Sequence, residues 1–93
     1  MKTHVSNMQS HNGNKVPNQF IIETPDGLVF QSYNTVIAVK RITGNGVQVV
    51  LDRDKWDYSR TTGKYRNQFL GEKTADTQRK VKSGEYILED LNA

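Results

Sequence analysis

Apolar residues recur with a period of about two between positions 19 and 52 and with a period near 3.6 beyond Trp56, so the chain reads as strands followed by helices. Phe20 and Ile22 alternate with Ile21 and Glu23, and Pro25-Asp26-Gly27 then supplies turn chemistry. Residues 28–33 form the returning strand of this first hairpin. Asn34 leads into a β-branched run over 35–42, and Thr43-Gly44-Asn45-Gly46 offers glycines that accept positive φ before residues 47–52 return. Four antiparallel strands in meander order are the simplest topology, because consecutive strands usually lie side by side. Residues 1–17 are rich in Asn, Ser, His and Gln without periodicity, and bury too little to offset their ordering entropy. They are expected to form a flexible tail ahead of a single domain over 18–93.

Ser59 or Thr61 is placed to cap a helix over 61–70 by accepting its orphan N–H groups. Thr62, Tyr65 and Phe69 fall on one face, and Arg60, Lys64, Asn67 and Gln68 on the other. Gly71 ends that helix. Thr74 followed by Asp76 opens a second through Lys82, closed by Ser83-Gly84. With Ala75 and Val81 as its apolar contribution, the second helix needs tertiary support. Residues 86–91 mix apolar side chains with acids and suit a short edge strand or a docked tail. The expected fold class is α+β: a twisted four-stranded antiparallel β-meander packed by one or two short C-terminal helices. An SH3-like small barrel followed by helices is the competing arrangement.

A chain of 93 residues holds one thin core, since a domain this short removes only about 60% of its unfolded surface from water. The absence of cysteine excludes disulfides and thiolate metal sites and fits a reducing compartment. No apolar run approaches the ~18 residues of a membrane span, and the first 19 residues lack the apolar stretch of a signal peptide, so the expected location is the cytoplasm. Net charge is only +3, yet nine Lys or Arg face four Asp or Glu between Arg53 and Lys82, while residues 83–93 carry three acids and no base. The helical segment therefore holds the positive charge, which raises the encounter rate with polyanions or an acidic protein face.

Within that segment, Ser59-Arg60-Thr61-Thr62-Gly63-Lys64 combines a helix N-terminus, hydroxyl donors and two cations one turn apart, the ingredients of a phosphate site. The leading glycine of a Walker loop is missing, and helix capping with two solvated cations explains the same residues. Trp56, the single tryptophan, suits the corner between sheet and helix; an exposed ring beside basic residues would instead stack a base. Tyr58, at the start of the helix, is the tyrosine expected to be partly exposed, and Tyr65 the one expected in the core. Asp52, Asp54 and Asp57 fail the calcium-loop spacing and read as turn formers. His4 and His11 lack a third ligand, so no metal and no cofactor is expected. Catalysis is thinly supported, because the predicted domain has no cysteine and no histidine. A histidine-free ribonuclease using Lys64, Arg66 and Tyr58 is the enzymatic alternative.

At QSYNTVIA and WDYSRTTGKYRNQFLGE the chain resembles an uncharacterised family of small proteins from bacteriophages and mobile elements of Gram-positive bacteria, over roughly residues 18–92. The matching positions are Asp57, Tyr58, Ser59, Thr61, Thr62, Lys64, Tyr65, Phe69 and Leu70. The resemblance implies a phage accessory protein and brings no established activity with it. Such products commonly bind nucleic acid or inhibit a host enzyme or defence complex.

These readings converge on a non-enzymatic binding protein. Arg60, Lys64 and Asn67 are central, Tyr58 adjoins them, and Arg53, Lys73, Arg79 and Lys80 are peripheral. The expected partner is nucleic acid, bound mainly through phosphates. The alternatives are an inhibitor of a host nucleic-acid-acting or defence complex, in the manner of small anti-CRISPR proteins, and a pocket that sequesters a small nucleotide. Unpaired sheet edges give a route to a homodimer.

Overall fold

A computed structural model describes residues 3–10 and 12–93. Strands β1 (His4–Gln9), β2 (Lys15–Thr24), β3 (Gly27–Ser32), β4 (Thr35–Thr43) and β5 (Gly46–Asp52) run antiparallel to their neighbours. Helices α1 (Arg60–Leu70) and α2 (Thr74–Ser83) follow, and β6 (Ile87–Glu89) returns to pair parallel with β5. Spatial order equals chain order across the six strands. The class is α+β, as expected, but the four-stranded meander is a six-stranded mixed sheet. The four expected strands are β2 to β5, and one strand is added at each edge. The parallel edge follows from connectivity, since two helices intervene between β5 and β6 and carry the chain back to the end of the sheet at which β5 begins.

The larger correction concerns residues 1–17. Within this expected flexible tail, β1 and the start of β2 form a hairpin with register His4↔Glu23 to Gln9↔Lys15. Met1, Lys2 and His11 lie outside the described residues. The ladder supplies what the side chains do not: Met8 is the one residue of β1 in the core, and the Gln68 amide of α1 donates to the Gln9 carbonyl at 2.7 Å. His4 is exposed on β1.

Two hairpins use the same turn chemistry. Thr24 Oγ1 donates to the Gly27 carbonyl and accepts from Asp26 N, while Thr43 Oγ1 donates to the Gly46 carbonyl and accepts from Asn45 N. Gly27 is fixed by space as well as by turn geometry. Its φ is +141°, and a Cβ there would sit 1.9 Å from the Lys40 carbonyl oxygen on β4.

One face of the sheet carries the core. Phe30, Ala38 and Leu51, joined by Ile37, meet Tyr65 and Phe69 of α1, with Met8 and Tyr86 at the margins. The Phe30 and Phe69 rings stack at 5.8 Å between centroids, and the Lys40 ammonium lies 4.8 Å from the Phe69 ring centre. Buried Ser32 and Thr62 hydroxyls bond at 3.1 Å, pinning α1 to β3. Trp56, Leu70 and Val81 close the edge of this cluster.

Candidate functional site at the start of α1

Local sequence builds this site. Asp52 ends β5 with a buried carboxylate that accepts from the N–H groups of Asp54, Lys55 and Leu91, so it organises the turn. Asp52 therefore serves the backbone, Asp57 accepts from the Arg66 guanidinium, and the described residues hold no cluster of three His, Cys, Asp or Glu side chains suited to a metal. Ser59 is the N-cap of α1: its φ and ψ are extended and its Oγ accepts from Thr62 N at 3.2 Å. Gly71 closes the helix in the left-handed conformation, its N–H bonded to the Asn67 carbonyl.

Between the turn and α1 lies a surface groove of about 730 Å³. Tyr58, Arg60, Lys64 and Asn67 all line it, together with Ser59 and Asp57. Arg60 and Lys64 are exposed and one helical turn apart, and the first turn of α1 has no acidic residue to oppose them. Tyr58 is 48% exposed, with the Lys55 ammonium 5.3 Å from its ring centre. Among the described residues neither cation makes an ion pair, so the groove offers Arg60 and Lys64, an aromatic face and the positive end of a helix, beside an Asp57 carboxylate already bonded to Arg66.

Behind the groove, bonded to its lining residues Asp57, Asn67 and Thr74, lies Arg66. Arg66 is completely buried. Its guanidinium lies 5.2 Å from the Trp56 ring centre and donates to the Trp56 carbonyl, to Asp57 Oδ1 at 3.1 Å, to Asn67 Oδ1 at 2.9 Å and to Thr74 Oγ1 at 3.0 Å. Among the described residues its Nε has no partner. A Cβ at Gly63 would stand 3.6 Å from an Arg66 nitrogen, an ordinary contact, so the guanidinium lies directly under this turn of the helix without requiring a glycine there. A ribonuclease role for Arg66 is thereby corrected: a fully enclosed guanidinium cannot meet a phosphate at the surface. The helical stripe of Thr62, Tyr65, Arg66 and Phe69, at i, i+3, i+4 and i+7, was the signal that placed it inward.

Asn67 is half-buried and committed at both ends, its Oδ1 accepting from Arg66 and its Nδ2 donating to Thr74 Oγ1 at 3.0 Å. It shapes the groove from within an internal network. The peripheral residues do not gather here. Arg53 and Lys73 are exposed outside the groove, and Arg79 pairs with Asp76 at 3.0 Å on the surface of α2. Arg79 also joins Trp56 and Lys82 along a second, more apolar groove of about 560 Å³.

Lys80 belongs to an internal cluster. Its ammonium bonds Glu72 Oε1 at 2.8 Å, and the same carboxylate accepts from the Tyr86 hydroxyl at 2.7 Å and, through Oε2, from Thr77 Oγ1 at 2.6 Å. Burial works against ionisation of Glu72, but the hydrogen bonds from Lys80, Thr77 and Tyr86 outweigh it and hold the carboxyl below its usual range. Tyr86 is pushed up to about 12, first by burial and then by the adjacent Glu72 carboxylate. At its start, α2 uses Asp76 Oδ2 to accept from Lys73 N at 3.3 Å, the acidic half of a capping box.

Residues 3–86 match a family of unknown function (DUF8033). The chain belongs to that family. The match begins at the start of β1, so the N-terminal hairpin is part of the family domain, whereas the sequence resemblance was expected to start near residue 18. It ends at Tyr86, immediately before β6. No curated protein and no solved structure matches the chain. Among the described residues, no helix is long and apolar enough to cross a membrane.

Proposed function

We propose that this family member is a non-enzymatic accessory protein of a bacteriophage or mobile element that binds nucleic acid through the groove at the start of α1. The observation that carries the reading is the pairing of exposed Arg60 and Lys64 on one groove with the capped, acid-free first turn of α1. Backbone phosphates would meet these two cations and the N–H end of the helix, and the exposed Tyr58 ring beside them would take a base by stacking. Contacts of this kind neutralise phosphates and carry little sequence information. Arg66 acts from below, holding Trp56, Asp57, Asn67 and Thr74 in place as a positioning residue. The phage context rests on the sequence resemblance in the Trp56 to Glu72 segment, and with it the bacterial cytoplasm as the working compartment.

The test is a fluorescence anisotropy titration with labelled single-stranded DNA, duplex DNA and RNA at low and near-physiological salt. Binding should weaken steeply with salt. Replacing both Arg60 and Lys64 by alanine should lower the magnitude of the logarithmic salt slope by roughly 1.4–1.8 while leaving the fold intact. Absence of binding at low salt would refute the reading. An inhibitor that docks on a host nucleic-acid-acting or defence complex is the second reading, favoured by Tyr58 standing exposed beside Arg60, since Tyr and Arg are enriched at the energetic centres of interfaces. A stoichiometric complex recovered from nuclease-treated host lysate, and lost with Tyr58→Ala, would favour it.

A further inference from the structure

The core occupies one face of the sheet, and the opposite face is as ordered in its chemistry. Along each strand the residue adjacent to a core position points the other way, and the strand register joins these residues into a single row: Val5↔Ile22↔Val29↔Val39↔Val50↔Ile87. Every one of the six strands contributes one aliphatic side chain. None of the six belongs to the core cluster or packs against it. Both helices meet the other face, so among the described residues no helix covers this one. The ends of the row are open, Val5 at 55% and Ile87 at 40% exposure, and Ile22, Val29 and Val39 between them are half-buried.

Val50 is the exception, with no exposure at all. Arg41 on β4 stands opposite Gln48 and Glu89 on β6 stands opposite Asp52, so their ion pair, at 3.4 Å, crosses β5 at the level of Val50. In the row and the same-face positions flanking it, the exposed charges are this one cation and this one anion, already paired. A quarter of the chain's residues are charged, so so neutral a face is a departure from the rest of the surface. Depletion of charge around an apolar centre is the compositional mark of an interface.

We infer that this face is the contact surface of a homodimer, in which two copies pack sheet against sheet about a two-fold axis. Self-complementarity selects the occupant. In a two-fold interface each patch meets itself, so exposed net charge would repel its own copy, and a face whose exposed cation and anion cancel, its other carboxylate at Asp52 being buried and bonded to three backbone N–H groups, meets that condition. The helix side, with Arg60 and Lys64 unopposed, does not. The dimensions come close: six strands at about 4.8 Å spacing give a row of about 24 Å, and about six residues along the longer strands give about 20 Å in the other direction. The projected area is therefore roughly 500 Å² before side-chain relief is added, which approaches the ~600 Å² per partner at the lower end of stable interfaces. Pairing through the open edges of β1 and β6 is not required, and the groove at α1 stays free on the outer side of each copy.

The experiment is sedimentation equilibrium of the full chain across a concentration series to about 100 μM, at low and high salt. The expected species has twice the 10.6 kDa chain mass and persists in high salt, because apolar contact rather than charge holds it. Val39→Lys, at the centre of the row, should give a folded monomer with an unchanged far-ultraviolet circular dichroism spectrum. If that variant fails to fold, the near-isosteric Val39→Thr is read instead, with dissociation expected at least about tenfold easier. A wild-type monomer throughout the range overturns the inference, and so does a dimer indifferent to these substitutions, which would point to edge pairing. A monomer that binds phosphatidylcholine vesicles also overturns it, assigning the face to a lipid surface.

Discussion

Replacing Arg66 by alanine tests whether the start of α1 is organised around a buried cation. Four of the guanidinium's N–H groups are bonded, and the side chain is fully enclosed. Removing one member of a buried ion pair costs about 3–5 kcal/mol when the other is left enclosed. Here Asp57 is 41% exposed at its side chain and recovers water, which pulls the figure down. The Trp56 carbonyl and Thr74 hydroxyl lose donors, and a long side chain leaves a void beneath Trp56, which push it up. We expect a loss of about 3 kcal/mol, equivalent to about 12–24 °C in melting temperature at ~4–8 °C per kcal/mol for a domain of this size. Urea unfolding followed by tryptophan fluorescence is the assay, because Trp56 is the only tryptophan and touches the perturbed group. Arg66→Lys keeps the charge without the planar fork and should lose about half as much. Arg60→Ala, on the exposed side of the same helix, should stay within about 0.5 kcal/mol of wild type. A loss below about 1 kcal/mol for Arg66→Ala would refute the reasoning.

Gly27→Ala forces a Cβ into the Lys40 carbonyl at φ +141° and should cost about 3 kcal/mol or more, read as a lowered urea midpoint. Ser59→Ala removes the α1 cap and should cost about 1 kcal/mol in the same assay. Stability should also depend on pH at both ends. A carboxyl lowered on folding stabilises above its unfolded pKa, so the Glu72 contribution should hold down to about 4.5 and fade as pH falls through the lower folded value. A phenol raised on folding does the reverse, so the Tyr86 contribution should hold below pH 10 and fade as pH rises through about 12. Melting temperature measured against pH should show both limbs, with the acid limb reduced in Glu72→Gln; an unchanged acid limb would remove Glu72 from the account.

What the sequence discloses here is what is decided locally. Thr24-Pro25-Asp26-Gly27 and Thr43-Gly44-Asn45-Gly46 close their turns within four residues, and Ser59 and Gly71 bound α1 by bonds to its own backbone, so each was readable in place. β1 was hidden because it gives the core one side chain, although Asn12-Gly13 between two extended segments is a hairpin signal. The direction of β6 depends on where two helices deliver the chain, which no local pattern encodes. In the candidate site the helical spacing of Arg60 and Lys64 sufficed to place both on the groove. Arg66 shares their charge but follows the apolar stripe, and Lys80 finds Glu72 only once α2 has folded back, so composition assigned both to the wrong side.

The position of β6 also sets an order in time. Strands β1 to β5 are joined by tight turns and can pair as they leave the ribosome, each with the strand just before it. β5 is an interior strand of the finished sheet, yet it is an edge until α1, α2 and the last residues have been made. Throughout that interval its outer N–H and C=O groups are bare, and Val50 lacks the Glu89 that completes its cover. The newborn protein therefore carries a bare edge at β5 that the mature one covers with β6.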